Sequence, residues 1–290
     1  MAKMSRKYLY NIKINNFSTQ YYKKGEGKKL VILPGLRTDI ERIAEVLEYY
    51  SQHFETYYVD LPGYGKSIKS KSYSYKEMVS FLDEWLRLLD LDKFHIMGMS
   101  LTGPAAYYLL QKPYFVERTD KLILFAPWYS RESINLSWGH KIFFWTIYSL
   151  GSLPILSWIG QKAYENENLV MKVVKKLHPK TPLNKDFRKF AKNFKNFNYK
   201  VCSKTTVDLL RLNMDHEKDL VDKESFIIMS EYDNKLNYKK TIAGYQRLFP
   251  NIKTISLKNE FHAPTVWITK ELIEHYFSGV LDEITGRKPS

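Results

Sequence analysis

Residues 95–103 read HIMGMSLTG, an apolar run that reaches Gly98, then Ser100, then a second small residue at Gly103. The segment that follows, LTGPAAYYLLQ, has a helical composition. A buried strand that ends in glycine-x-serine and turns directly into a helix lifts the serine hydroxyl clear of the backbone, where it can attack an electrophile. The turn is tight, so small residues are needed on both sides of the serine. Gly98 meets that need two positions before Ser100. Thr102 stands where a second glycine is usual, and its β-branch crowds the crossing unless Gly103 relieves it. The competing reading of this stretch alone is a loop serine that caps the following helix.

Outward from this point the chain alternates short apolar runs with longer amphipathic ones. KKLVILPG, ETYYVDLPG, KFHIMG, KLILFAP, SFIIMS and IKTISL read as strands, the first two stopping at Pro34-Gly35 and Pro62-Gly63. Apolar runs of this length fit strands buried on both faces. YKEMVSFLDEWLRLLDL sets Met78, Phe81, Leu82, Trp85, Leu88 and Leu89 on one helical face. KKTIAGYQRLF is a further helix between two late strands. Strand–helix alternation predicts an α/β fold, a mostly parallel central sheet flanked by helices. KYLYNIKI and STQYYKKG are expected as an antiparallel pair at the sheet edge. The alternation stops between Trp128 and Asp219, where no strand is evident, and resumes at SFIIMS. That pattern predicts a core of residues 1–127 and 220–290 with an inserted helical cap at 128–219.

A serine hydroxyl attacks at neutral pH only with a base in reach, an acid to orient that base, and donors for the oxyanion. The nucleophile candidate is Ser100. The acid candidate is Asp233 in SFIIMSEYDNKL, after a strand and a short polar turn, with Glu231 as a rival two residues away. An aspartate in that position is also an ordinary turn former. The base candidate is His262 in IKTISLKNEFHAPTVW, on the loop after the last strand and before a terminal helix carrying Trp267, Ile268, Leu272 and Ile273. His95 lies within a strand and reads as a packed core residue. His53, His140, His178, His216 and His275 read as surface or cap residues. Ser100, Asp233 and His262 then each follow a buried strand, and open parallel sheets place their sites at that edge.

LVILPG, VDLPGYGKS, GMSLTG, IIMSEYD and EFHAP, in this order and spacing, resemble the α/β-hydrolase superfamily over most of the chain outside the insertion. The resemblance implies Ser100 as nucleophile, Asp233 as orienting acid and His262 as base. It also implies an oxyanion hole built from the backbone N–H of Leu101 and that of Leu36, in a loop where the family often has His-Gly and this chain has Pro34-Gly35. Relatives that open epoxides or remove halides carry a carboxylate at the nucleophile position, so a serine argues against both. The expected activity is cleavage of a carboxylic ester or thioester with an apolar group. The alternatives are carbon–carbon bond hydrolysis or acyl transfer on the same triad, or a non-catalytic lipid- or partner-binding protein on the hydrolase scaffold.

Within the insertion, IFFWTIYSLGSLPILSWIGQ runs from residue 142 to 161 without a charge, between Lys141 and Lys162. Three readings compete. The run is a pair of apolar cap helices broken at Gly151 to Pro154 and facing an acyl pocket, or a cap that also dips into a membrane interface, or a transmembrane helix, for which 20 residues suffice. Lysines crowd the next part of the insertion, among them Lys172, Lys175, Lys176, Lys180, Lys185, Lys189, Lys192 and Lys195. Phe187, Phe190, Phe194 and Phe197 recur there at helical spacing and read as one buried face.

The chain has 290 residues and a formal net charge of +14, with lysine far above arginine. That balance reads as a solvated basic surface or as attraction to anionic membrane, and not as nucleic-acid binding, for which no motif is present. No nicotinamide, flavin, nucleotide or metal fingerprint occurs, so no cofactor is expected. Cys202 is the single cysteine, which excludes an internal disulfide and suits a reducing compartment. The basic N-terminus has no apolar stretch of signal-peptide length, and the expected location is cytoplasmic, with or without membrane association. Oligomeric state and substrate identity are not legible.

Overall fold

The computed structural model describes residues 5–15, 17–135, 138–151, 153–177 and 184–257, together with residues 269, 271, 273 and 284. Among the described residues the strands are β1 (Leu9–Ile14), β2 (Phe17–Lys24), β3 (Lys29–Leu33), β4 (Glu55–Val59), β5 (Phe94–Met99), β6 (Thr119–Phe125), β7 (Ser225–Ser230) and β8 (Ile252–Leu257). They form one sheet in the order β1-β2-β4-β3-β5-β6-β7-β8. β1 and β2 pair antiparallel at one edge, and β2 pairs antiparallel with β4. The other pairings are parallel. This is the mostly parallel sheet that the sequence predicts, with the N-terminal pair at the edge.

The residues explain why these segments became central strands. Leu30 and Ile32 of β3 enter one apolar layer, and Val31 and Leu33 enter the other. Phe226 and Ile228 of β7 divide from Ile227 and Met229 in the same way. Because side chains alternate with a period of two, a continuous apolar run is stable only where both faces are covered. The outermost strands β1 and β8 instead leave half of their residues exposed.

The core helices are α1 (Ala44–Tyr50), α2 (Tyr75–Leu89), α3 (Gly103–Leu110), α4 (Pro113–Arg118) and, late in the chain, the segment Tyr238–Leu248. α2 starts at a reciprocal cap, in which the Ser74 hydroxyl accepts from the Glu77 N–H and the Glu77 carboxylate accepts from the Ser74 N–H. Its buried face holds Met78, Phe81, Leu82 and Trp85 as predicted, but with Leu86 in place of Leu88, which is 56% exposed. Leu86 and Leu88 lie about 80° to either side of that face's centre, and neighbours cover only the first flank.

Between β6 and β7 the insertion forms α5 (Trp138–Leu150), α6 (Pro154–Glu165), α7 (Glu167–Leu177), α8 (Lys185–Asn193) and α9 (Tyr199–Arg211). Its described residues contain no strand longer than an isolated bridge. α5 ends at Leu150 and α6 begins at Pro154, which brackets the break that the sequence places at Gly151 to Pro154. α5 and α6 both pack on α9. α6 approaches α9 so closely that a Cβ at Gly160 would sit 2.2 Å from the Tyr199 ring. Phe187, Phe190 and Ala191 bury against Val170 and Val174 in a small core of their own, the buried face expected of that phenylalanine series. Among the described residues no helix is long and apolar enough to cross a membrane.

Candidate active site

Ser100 follows the last residue of β5, near the middle of the sheet, and has a left-handed backbone with φ +46°. A non-glycine residue there costs about 1–2 kcal/mol and persists only where its surroundings impose it. Four features impose it. A Cβ at Gly98 would stand 2.8 Å from the Thr102 carbonyl oxygen and 3.1 Å from the Gly103 Cα, so the strand and the helix cross at two glycines. A Cβ at Gly103 would meet Pro127 at 2.4 Å. The Ser100 carbonyl accepts from the Trp128 N–H at 2.9 Å. The Leu101 carbonyl accepts from the Tyr75 hydroxyl at 2.8 Å.

Thr102 does not crowd this crossing. Its side chain is fully buried and turns towards the end of β3. Its Oγ1 accepts from the Met99 N–H at 3.0 Å, and its proton is shared between the Leu33 carbonyl at 3.1 Å and the Met99 carbonyl at 3.2 Å. The crossing itself is made by Gly98 with Gly103. The threonine therefore ties the turn to the neighbouring strand where a glycine could not.

Register sets what lies beside Ser100. Leu33 pairs with Gly98 in the parallel β3·β5 ladder, so the loop from Pro34 leaves the sheet alongside the serine turn. A Cβ at Gly35 would lie 3.7 Å from the Met99 carbonyl oxygen. Leu36, the next residue, is half-buried in this loop. Leu101 lies in the first turn after β5, where a backbone N–H has no intrahelical acceptor.

Asp233 follows β7, the second strand from β5, and is buried, whereas Glu231 is exposed. Its Oδ1 accepts from the N–H groups of Lys235 at 2.7 Å and Leu236 at 2.9 Å, which fixes the carboxylate on its own turn. The segment leading into the insertion clamps this turn. The Asn135 amide donates to the Asp233 and Leu236 carbonyls, both at 2.9 Å, and the Asn135 N–H donates to the Lys235 carbonyl at 2.7 Å. In the β7·β8 ladder Ser230 pairs with Leu257. His262, Trp267, Ile268, Leu272, His140's side chain, His178 and His275 lie outside the described residues; Ile273 is buried.

The other described histidines and the thiol do not compete for chemistry. His95 is a buried member of β5 packed on the Phe54 ring, and burial holds its pKa below the usual range. His216 is exposed at the end of a short 3-10 helix, Met214–His216, and His53 is half-buried in a turn. Burial pushes the Cys202 thiol up to about 11, which keeps it neutral and unreactive.

Sequence reasoning missed the group that joins this loop to the insertion. Arg37 follows Leu36 with φ +56°, and its guanidinium donates from Nε to the Tyr164 hydroxyl at 2.7 Å and from Nη2 to the Tyr148 hydroxyl at 2.9 Å. Asp39, buried, accepts from the Arg42 N–H at 2.9 Å, from the Asn193 amide at 3.1 Å and from the Asn196 amide at 3.0 Å. Asp60 accepts from the Ile40 N–H at 2.8 Å and covers Gly65, whose φ is +52°. Burial, with Asp39 beside it, raises the Asp60 carboxyl well above its ordinary range. Only the glycine-rich pattern of VDLPGYGKS hinted at any of this.

The arrangement can present a serine hydroxyl, two backbone donors and a fixed carboxylate at one sheet edge. Comparison with known proteins identifies the fold that carries these residues. Residues 28–267 match the alpha/beta hydrolase fold family. The abhydrolase domain-containing protein abhd-5.2 of Caenorhabditis elegans is 27% identical over 142 residues, 45% of this chain and 31% of that protein. The chain thus spans about a third of the length of the curated relatives it matches. A protein assigned as a lipase from Acinetobacter baumannii superposes with a TM-score of 0.70 at 17% identity, covering 98% of this chain and 95% of that one. An epoxide hydrolase from Bacillus megaterium gives 0.71 at 17% identity, covering 96% and 100%. With the strand order, the strained turn at Ser100 and a family match over most of its length, this chain belongs to the alpha/beta hydrolase fold family.

Proposed function

We propose that this protein is a serine hydrolase acting on a carboxylic ester or thioester that carries an apolar group. The observation that carries the reading is the left-handed backbone of Ser100 at the carboxyl end of β5. Strain of that kind collects where a side chain must be aimed. Similarity to a protein assigned as a lipase favours ester cleavage within the hydrolase family.

In this reading His262 takes the hydroxyl proton of Ser100 as Oγ bonds to the substrate carbonyl carbon. The carbonyl electrons move to the oxygen, which the Leu36 and Leu101 N–H groups hold. The imidazolium, stabilised by Asp233, returns its proton to the leaving alcohol or thiol as that bond breaks. Water, deprotonated by His262, then attacks the acyl carbon, and as the bond to Ser100 Oγ breaks His262 returns that proton to Oγ, releasing the acid and the free serine. Each oxyanion donor of this sort contributes about 3–4 kcal/mol of transition-state stabilisation. The insertion acts as the cap over the acyl group.

A fluorophosphonate probe tests the reading. Ser100 should be labelled, and Ser100→Ala should lose all labelling while melting like the parent. Hydrolysis across esters of graded acyl length should vanish in the same variant. A folded parent that takes no label, or a Ser100→Ala protein that still does, sinks the proposal.

A further inference from the structure

The helices α5 and α6 turn much of their apolar surface away from the protein. Trp138 is 78% exposed, Ile155 74%, Trp158 64% and Trp145 44%. Ile142, Leu150, Leu153, Leu156 and Ile159 are exposed as well. Of the readings of this apolar run, these exposures favour a cap that also meets a membrane interface over one that faces an acyl pocket alone. The described inward contacts of α5 and α6 include Tyr148 and Tyr164 on Arg37, Tyr164 on the Phe194 and Tyr199 rings, and Gly160 on Tyr199, and both helices pack on α9. Trp138, Ile142 and Trp145 recur at helical spacing along one face of α5, where with Lys141 they line an open groove of about 440 Å³. Neither Ser100 nor Asp233 lines that groove.

We infer that this outer face of the insertion is a docking surface for an anionic lipid bilayer, on which α5 and α6 lie in the interface plane. Two observations select a lipid surface. The first is composition: three tryptophans stand among leucines and isoleucines on two consecutive helices of 13 and 12 residues. Indole rings concentrate at the membrane–water boundary, with an apolar body and one polar N–H. Helices of this length that lie in that boundary bury one side to the depth of the headgroup–acyl junction. The second is charge. Residues 138–177 hold five lysines against two glutamates, within a chain of net charge +14. Lys141 and Lys162 bracket the apolar run, and Lys172, Lys175 and Lys176 extend the basic character along α7. An apolar face framed by lysines fits acyl chains below an anionic headgroup layer. A second copy of the same face would bring lysine against lysine. The surface does not depend on Ser100, so the serine-hydrolase reading can fail while this one stands.

Flotation with vesicles tests it, using phosphatidylcholine alone and phosphatidylcholine with about 30 mol% phosphatidylglycerol, at about 50 mM and about 500 mM salt. The full chain should float with the anionic vesicles at low salt, with a blue shift of tryptophan emission. High salt, or omission of the anionic lipid, should weaken binding at least about tenfold. The variant Trp145→Ser/Ile155→Ser/Trp158→Ser should lose binding at least about tenfold while keeping the parent's melting temperature, since its targets are exposed. Ser100→Ala should float like the parent. Lys141→Glu/Lys162→Glu should weaken anionic binding and leave the fold intact, a second check that removes no apolar group. The proposal is overturned by no flotation at low salt, by equal binding to both vesicle types, or by a triple variant that floats like the parent. It is also overturned if sedimentation shows a dimer that the triple substitution converts to monomer, since the face then belongs to a second copy.

Discussion

Thr102 gives the sharpest test of the serine turn, because its two possible roles rank substitutions in opposite order. The side chain is fully buried, and its hydroxyl both accepts from the Met99 N–H and donates to the Leu33 carbonyl. Thr102→Val keeps the shape and removes both bonds. At about 0.5–1.5 kcal/mol for each intramolecular bond, the loss is about 1–3 kcal/mol, with two polar backbone groups left short of a partner. Thr102→Ser keeps both bonds and removes one methyl group, a cost of about 1 kcal/mol. Urea unfolding read by linear extrapolation should give the order parent, then Thr102→Ser, then Thr102→Val, with unchanged slopes. If the threonine acted by filling space, valine would match the parent and serine would be the weaker variant. That reversed order would refute the hydroxyl's role in joining β3 to the turn.

Gly65→Ala should destabilise by about 2 kcal/mol or more, since its Cβ would fall 2.0 Å from an Asp60 carboxylate oxygen and its φ is +52°, whereas Gly27→Ala, at φ +91° with nothing within 4 Å, should cost only about 1 kcal/mol of backbone strain; paired thermal melts check the difference. Asp60 holds its proton above the ordinary value of 3.8 because it is buried beside Asp39, so its contribution to stability is complete below that value and is lost as pH rises through the raised one. Melting temperature should therefore fall less in Asp60→Asn than in the parent as pH rises above 3.8, and parallel pH profiles would refute the assignment. Arg37→Met should strip both tyrosine hydroxyls of their donor and speed proteolytic cutting within α5 and α6, and Arg37→Lys should recover little, because an ammonium lacks the planar fork that reaches two acceptors.

The strands were legible because burial on both faces leaves an unbroken apolar run, and a sequence displays such runs directly. Gly98 and Gly103 were legible for a related reason, since a close crossing of strand and helix tolerates only hydrogen there. Gly103 relieves the crossing as the sequence allows, but the direction of Thr102 was not legible, because it depends on where β3 ends, 69 residues earlier. Leu88 was misassigned because a helical wheel gives angles and not neighbours. Arg37 and Asp39 were invisible for a deeper reason. Their partners lie in the insertion, 111 to 157 residues away, and no local period announces a buried polar contact of that range. The apolar run of the insertion was visible, but whether it faced inward or outward was a question of packing.

That packing has a consequence for how the insertion and the core communicate. The loop after β3 bears Leu36, and its next residues bind the insertion in two places: Arg37 to α5 and α6, Asp39 to Asn193 and Asn196 near the end of α8. The turn after β4 adds a third, where the Gly63 carbonyl accepts from the Asn198 N–H at 2.8 Å and a Cβ at Gly63 would press on Val201 at 2.8 Å. These contacts are polar or glycine-dependent, and they are directional in a way that apolar packing is not. An insertion held only by apolar contacts could slide over the core with little change in energy. One held by a guanidinium fork and a buried carboxylate must break those bonds to move. Displacement of α5 and α6 therefore acts first on Arg37, one residue from the backbone N–H assigned to the oxyanion. The outer face of the same two helices is the apolar one. A surface that binds that face thus bears on elements whose inner side holds the loop beside Ser100, and Arg37 is one route from that surface to the serine, beside the one through α9, Asp208 and Tyr75.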